Sequence, residues 1–206
     1  MGFLFLQAVS CQRPSRKAAR MRLSQPRLPA LTIETAEGES RAQLERAEAR
    51  GGPVLNVTRT LANYPQLSSA WGQFARHVLS GSMLPPRERE LIILRMGWNC
   101  RSGYEFGQHR RMGQEAGLSL EEVERTKAGP EHSAWTEHEA ALLRAADELH
   151  GDAFVSDETW NKLAETYDTR QLMDVVFTAG QYNLVSMALN TLGVQLEPGT
   201  PGLELE

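Results

Sequence analysis

An all-α fold is what this sequence predicts. Three observations lead there: apolar residues recur at helical spacing from about residue 54 to residue 192, cap signals of the type Ser/Thr-x-x-Glu/Thr precede several of these stretches, and no alternating strand pattern appears. With 206 residues and 41% hydrophobic content, the chain can bury one real core without disulfides.

The elements follow in order. Residues 1–53 read as an N-terminal arm. Its first 20 residues are expected to be disordered or foreign to the native fold, as a leader or a start placed upstream of Met21. Arg41 to Arg50 is a charged helical stretch ended by Gly51, Gly52 and Pro53. The compact domain is expected over 54–195. Leu67, Trp71, Phe74 and Val78 form one apolar stripe, and Pro85-Pro86 opens a helix through Trp98 that buries Leu91, Ile92, Leu94 and Trp98. Ser102-Gly103 re-caps the chain ahead of a helix through His109 to Ala116, which Gly117 stops. Ser119-x-x-Glu122 and Thr136-x-x-Glu139 are capping boxes, and Ser156-x-x-Thr159 opens a further helix. The longest helix, Arg170 to Leu192, is apolar on much of its circumference and is expected to be central or an interface; the methionines Met83, Met96, Met112, Met173 and Met187 are expected in the core. Residues 196–206, with Pro198, Gly199, Pro201 and Gly202, read as an irregular tail.

Charge and cysteine content exclude several classes. Six of the 22 bases fall in residues 1–27, which hold no acid, so the remaining body is strongly acidic and repels phosphate backbones. No nucleic-acid partner is expected, and no stretch approaches membrane-spanning length. Cys11 and Cys100 have neither a CxxC partner nor zinc-like spacing, which fits a reducing cytoplasm and gives no metal site.

The stretch from Pro86 to His109 carries the candidate chemistry. Glu105 and His109 are four apart and share a helix face, so the carboxylate can hold one imidazole nitrogen. Glu90 opens the preceding helix and reaches the same place if the two helices form a hairpin. Two carboxylates and a histidine in an apolar cleft push one another's protonation apart, which divides acid and base roles. Two other readings fit the same residues: a chance pair on an exposed helix, and three ligands of a metal.

These residues lie in blocks that resemble the carboxymuconolactone decarboxylase and alkylhydroperoxidase D superfamily. The blocks are Arg89-Glu90 followed by Glu105-x-x-x-His109; Ala140-x-Leu142-Leu143-Arg144-Ala145-x-x-Glu148-Leu149-His150; and Gln171-Leu172-x-Asp174-x-x-Phe177-x-x-Gly180-Gln181-Tyr182-Asn183. The resemblance implies an all-helical bundle that self-associates as a dimer, trimer or hexamer and needs no cofactor. In the peroxidase branch a Cys-x-x-Cys lies between the Glu and the His. Ser102 and Glu105 stand at those two positions here, and Cys100 is two residues too early. The resemblance therefore points to the thiol-free decarboxylase branch, a lyase of aromatic catabolism acting on a small carboxylated or lactone-type substrate. On that pattern His109 is proton donor or base, Glu105 orients it, and Glu90 shares the proton or positions substrate. Arg95 or Arg101 would clamp a carboxylate, and Tyr182 and Asn183 would line the pocket. Asn183 departs from the pattern, which places a His there in many relatives. The competing readings are a peroxidase-related protein with weak or no peroxide reductase activity through Cys100, and a non-catalytic oligomeric binding protein.

Overall fold

The computed structural model describes residues 21–203; Cys11 and the basic stretch 1–20 lie outside the described residues, as do residues 204–206. The described residues contain nine α-helices and no strand. They are α1 (Gly38–Glu48), α2 (Asn56–Leu61), α3 (Pro65–Arg76), α4 (Pro86–Asn99), α5 (Gly103–Glu115), α6 (Leu120–Arg125), α7 (Glu137–Asp152), α8 (Asp157–Ala164) and α9 (Thr169–Leu192), with α3 running on into a π-helical turn, His77–Gly81. None of these helices is long and apolar enough to cross a membrane.

Local chemistry sets the helix ends. Pro86 starts α4, where its missing N–H is no loss. The Ser102 side chain accepts from the Glu105 N–H at the head of α5. Ser119 with Glu122, and Thr136 with Glu139, form the expected reciprocal capping boxes, each worth about 1 kcal/mol against an uncapped end. A further box, Asp168 with Gln171, opens α9 one residue before the expected start, and Gly193 closes it in the left-handed region at φ 73°. The charged N-terminal helix begins at Gly38, earlier than expected, and ends at Glu48.

The middle of the molecule is α4, which packs against α5, α7 and α9. Its Leu91, Ile92, Ile93 and Leu94 are all fully buried, so neighbours cover more than one face. The helix α9 packs on α4 and α7 and also touches α5 and α8. One side of α9 buries Leu172, Val175, Ala179, Tyr182, Val185 and Leu189, while Met173, Phe177, Leu184 and Met187 are half exposed on the other. The expectation that the methionines are core residues fails for Met83, in the bend before α4, and for Met173 and Met187 on α9, because apolar character says nothing about which side of a helix faces a neighbour. Leu67 and Phe74 of the α3 stripe are likewise exposed, and only Val78 at its end is buried.

Both flanks of the domain pack back on it. Arg27 N–H donates to the Leu192 carbonyl at 2.9 Å, and the Arg22 guanidinium donates to the Cys100 carbonyl at 3.0 Å. The tail is irregular but docked: Glu197 accepts from Tyr104 Oη and Asn56 N, both at 2.8 Å, and Leu203 is buried against Phe106. Helices α4 and α5 come unusually close at Gly97, where a Cβ would meet Phe106 N at 3.3 Å. That approach turns α4 and α5 into a tight hairpin.

Candidate active site

Because the hairpin is tight, side chains 19 residues apart meet inside it. His109 Nδ1 lies 2.7 Å from Glu90 Oε2 and is hydrogen-bonded to it. On the other side of the ring, His109 Nε2 lies 2.9 Å from Glu105 Oε1, an ion-pair contact out of hydrogen-bond alignment, since that oxygen has no hydrogen-bond partner. All three groups are buried, with 1% (Glu90), 6% (Glu105) and 7% (His109) of their side chains exposed. The Tyr182 ring of α9 meets the imidazole edge to face, with centroids 4.9 Å apart and planes at 83°.

Such an arrangement fixes the protonation state of the imidazole. Burial disfavours the imidazolium, but Glu90 and Glu105 outweigh it and raise His109 to about 10. With a carboxylate against each ring nitrogen, only the doubly protonated ring offers a donor to both. Burial, then the charges of Glu105 and Glu90, push the Tyr182 phenol well up, and Arg89 opposes them. Arg89 itself comes within 3.6 Å of Glu90 Oε1. The three core groups contact one another directly, and among the described residues no group of three His, Cys, Asp or Glu is placed to hold a metal ion.

Of the other expected site residues, the structure brings only Tyr182 to this centre. The Arg95 guanidinium is bonded to Asp147 at 2.5 and 2.8 Å and to the carbonyls of Thr126 and Lys127, tying α4 to α7 and to the end of α6. Arg101 is exposed at the α4–α5 junction in the left-handed region, φ 51°. Asn183 is turned to a second cluster, where its Oδ1 lies 3.1 Å from Cys100 Sγ and 3.2 Å from His150 Nδ1, with Sγ and Nδ1 3.6 Å apart. Burial raises the Cys100 thiol, and Ser186 and Arg22 beside it bring it only part of the way back.

Residues 65–148, which hold Glu90, Glu105 and His109, match the model of the carboxymuconolactone decarboxylase family. The likeness to that family covers this segment, less than half of the chain. Solved structures of alkylhydroperoxidase D-like proteins share the all-helical fold. A peroxidase-related protein with an alkylhydroperoxidase AhpD core from Ralstonia eutropha JMP134 has TM-score 0.73 at 17% identity, covering 84% of this chain and 93% of its own. A peroxidase-related protein from Silicibacter sp. TM1040 has TM-score 0.70 at 16% identity over 92% of this chain and 97% of its own. The debrominase Bmp8, in complex with 2,3,4-tribromopyrrole, has TM-score 0.66 at 16% identity over 79% of this chain and 90% of its own. No curated protein sequence matches significantly. The match to the carboxymuconolactone decarboxylase family ends before α9, so Tyr182 and Asn183 lie outside it.

Sequence reasoning passed over two residues. Arg89 was part of the motif but had no role assigned; its signal was position, one residue before Glu90 on the opening turn of α4. His150 closes one of the three blocks with no role of its own, and its closeness to Cys100 spans 50 residues that no local pattern connects.

Proposed function

We propose that this protein is a cofactor-free lyase of the decarboxylase type, or a related proton-transfer enzyme, acting on a small carboxylated or lactone-type substrate. One observation carries the reading: a buried imidazole held between two carboxylates, with no thiol at either position where the peroxidase pattern needs one. Glu90 makes the aligned hydrogen bond and is the orienting group. The Nε2–H opposite Glu105 is poorly aligned, so it is the proton available for transfer. In the step, the bond between the substrate carbon and its carboxylate breaks and carbon dioxide leaves. The electron pair passes into the adjacent carbonyl as an enolate, and the His109 Nε2 proton goes to carbon. Solvent then restores the proton to His109. A thiol route through Cys100 has less support, since the thiol is buried and held in its neutral form.

Substituting His109→Ala tests the reading. With a carboxylated five-membered lactone as substrate, turnover falls roughly 10²- to 10⁴-fold while helix content persists; turnover within twofold of the parent removes His109 from the chemistry.

Self-association and a cytoplasmic setting belong to the same proposal. The half-exposed Met173, Phe177, Leu184 and Met187 stand at steps of four, seven and three residues along α9, the spacing of a helix seam. An edge-to-face contact joins Phe177 to Phe74 of α3 at 6.1 Å and broadens the patch. Sedimentation velocity should show an oligomer that Phe177→Glu dissociates, and a monomeric parent would reject this surface.

A further inference from the structure

Three arginines stand on α4 within nine positions, and the structure treats them differently. Arg87 donates to Glu122 and Glu139, and Arg95 to Asp147 and two carbonyls. The Arg89 side chain makes no hydrogen bond among the described residues, although only 12% of it is exposed and its Nε is buried without a partner. A guanidinium cannot shed its proton, so a mostly buried one needs acceptors. Its one near anion among the described residues, Glu90 Oε1 at 3.6 Å, is beyond hydrogen-bond range, and the other oxygen of that carboxylate is bonded to His109.

Position adds a second argument. Among the side chains of the charged group, Arg89 is the most exposed at 12%, against 1% for Glu90, 6% for Glu105 and 7% for His109. The guanidinium is thus the member of this group nearest to solvent. Charge adds a third. Two carboxylates and one imidazolium leave the buried group with an excess negative charge, which repels an anion; the Arg89 cation cancels it.

We infer that Arg89 is the anchor for an anionic substrate, binding one carboxylate at the mouth of the site through its unused donors and holding the rest of the molecule against His109. The inference takes its location from the proton-transfer reading and adds a requirement to it: the substrate presents a carboxylate to Arg89. A planar fork suits a carboxylate in two-point contact, and lysine supplies the charge without the fork.

Benzoate and its neutral isostere benzamide serve as probes in calorimetric titrations of the full-length protein. The parent should bind benzoate more tightly than benzamide. Arg89→Gln should weaken benzoate roughly 10- to 100-fold and leave benzamide unchanged, and Arg89→Lys should recover part of the loss. Benzoate affinity indifferent to Arg89→Gln, or a parent that binds neither probe, overturns the inference. Thermal unfolding separates loss of the anchor from loss of the fold, and Arg89→Lys keeps the test decisive if Arg89→Gln does not fold. The two readings fail separately: Arg89-dependent benzoate binding without His109-dependent turnover leaves the anchor and removes the lyase, and the opposite pair of results does the reverse.

Discussion

Two polar clusters lie between the α4–α5 hairpin and the rest of the bundle, and they are built on opposite electrostatic terms. Around His109 stand two full negative charges within 3 Å of the ring, and they hold a buried imidazole protonated against the cost of desolvation. Around Cys100 stand an amide and an imidazole, both beyond 3 Å, and burial dominates, so the thiol keeps its proton. The same scaffold thus keeps an imidazolium charged in one place and a thiol neutral in another. What decides between them is the charge of the neighbours more than the depth of burial, since Cys100 and His109 are 7% and 6% exposed.

The largest test of that contrast removes a charge at His109. Glu90→Gln keeps shape and one acceptor but takes away the negative charge, so activity should fall roughly 10- to 100-fold and the imidazole should titrate lower, as read by NMR of the ring. A ring that titrates unchanged would show that Glu90 is not what holds the proton.

Stability against pH gives an intermediate effect with a defined sign. The folded value for His109, about 10, lies above the unfolded 6.5, so its contribution is complete below pH 6.5 and is lost as pH rises toward 10. Urea midpoints of the parent should decline across that window, and in His109→Ala this component of the decline should be missing. Equal declines in both proteins would place the pH dependence elsewhere.

The smallest effect is expected at the second cluster. Cys100→Ser should leave turnover within about twofold, and native Cys100 should react with iodoacetamide at least ~10-fold more slowly than a free thiol, with full reactivity restored on unfolding. A fast native reaction would mean that His150 activates the sulfur, and the two clusters would then be alike in kind.

Much of this architecture was legible in sequence wherever cause and effect lie within one helical turn. The Ser119 and Thr136 boxes, the Gly117 stop and the shared face of Glu105 and His109 depend on residues three or four apart, and all appear as expected. Glu90 needed a further condition, that α4 and α5 pair, and the apolar run of α4 made that a fair expectation. Arg95 shows where such reading stops. Its partner Asp147 is 52 residues away on α7, and nothing near Arg95 distinguishes a clamp for substrate from a clamp for another helix. Asn183 and Cys100, 83 residues apart, repeat the lesson. Burial on α9 was misjudged for a different reason: Met173 and Val175 are both apolar, and only the packed neighbours show that one faces inward and the other does not.

Gly97 carries a consequence for all of the proton chemistry. A methyl group at that position would press on the Phe106 nitrogen at 3.3 Å and lie against Glu105 Cγ at 3.5 Å, in the helix that also bears His109. The spacing of Glu105 and His109 against α4 is therefore held by an atom that is missing, at a residue with no proton to give. A variant there would damage the proposed reaction through tenths of an ångström while leaving every ionisable group in place.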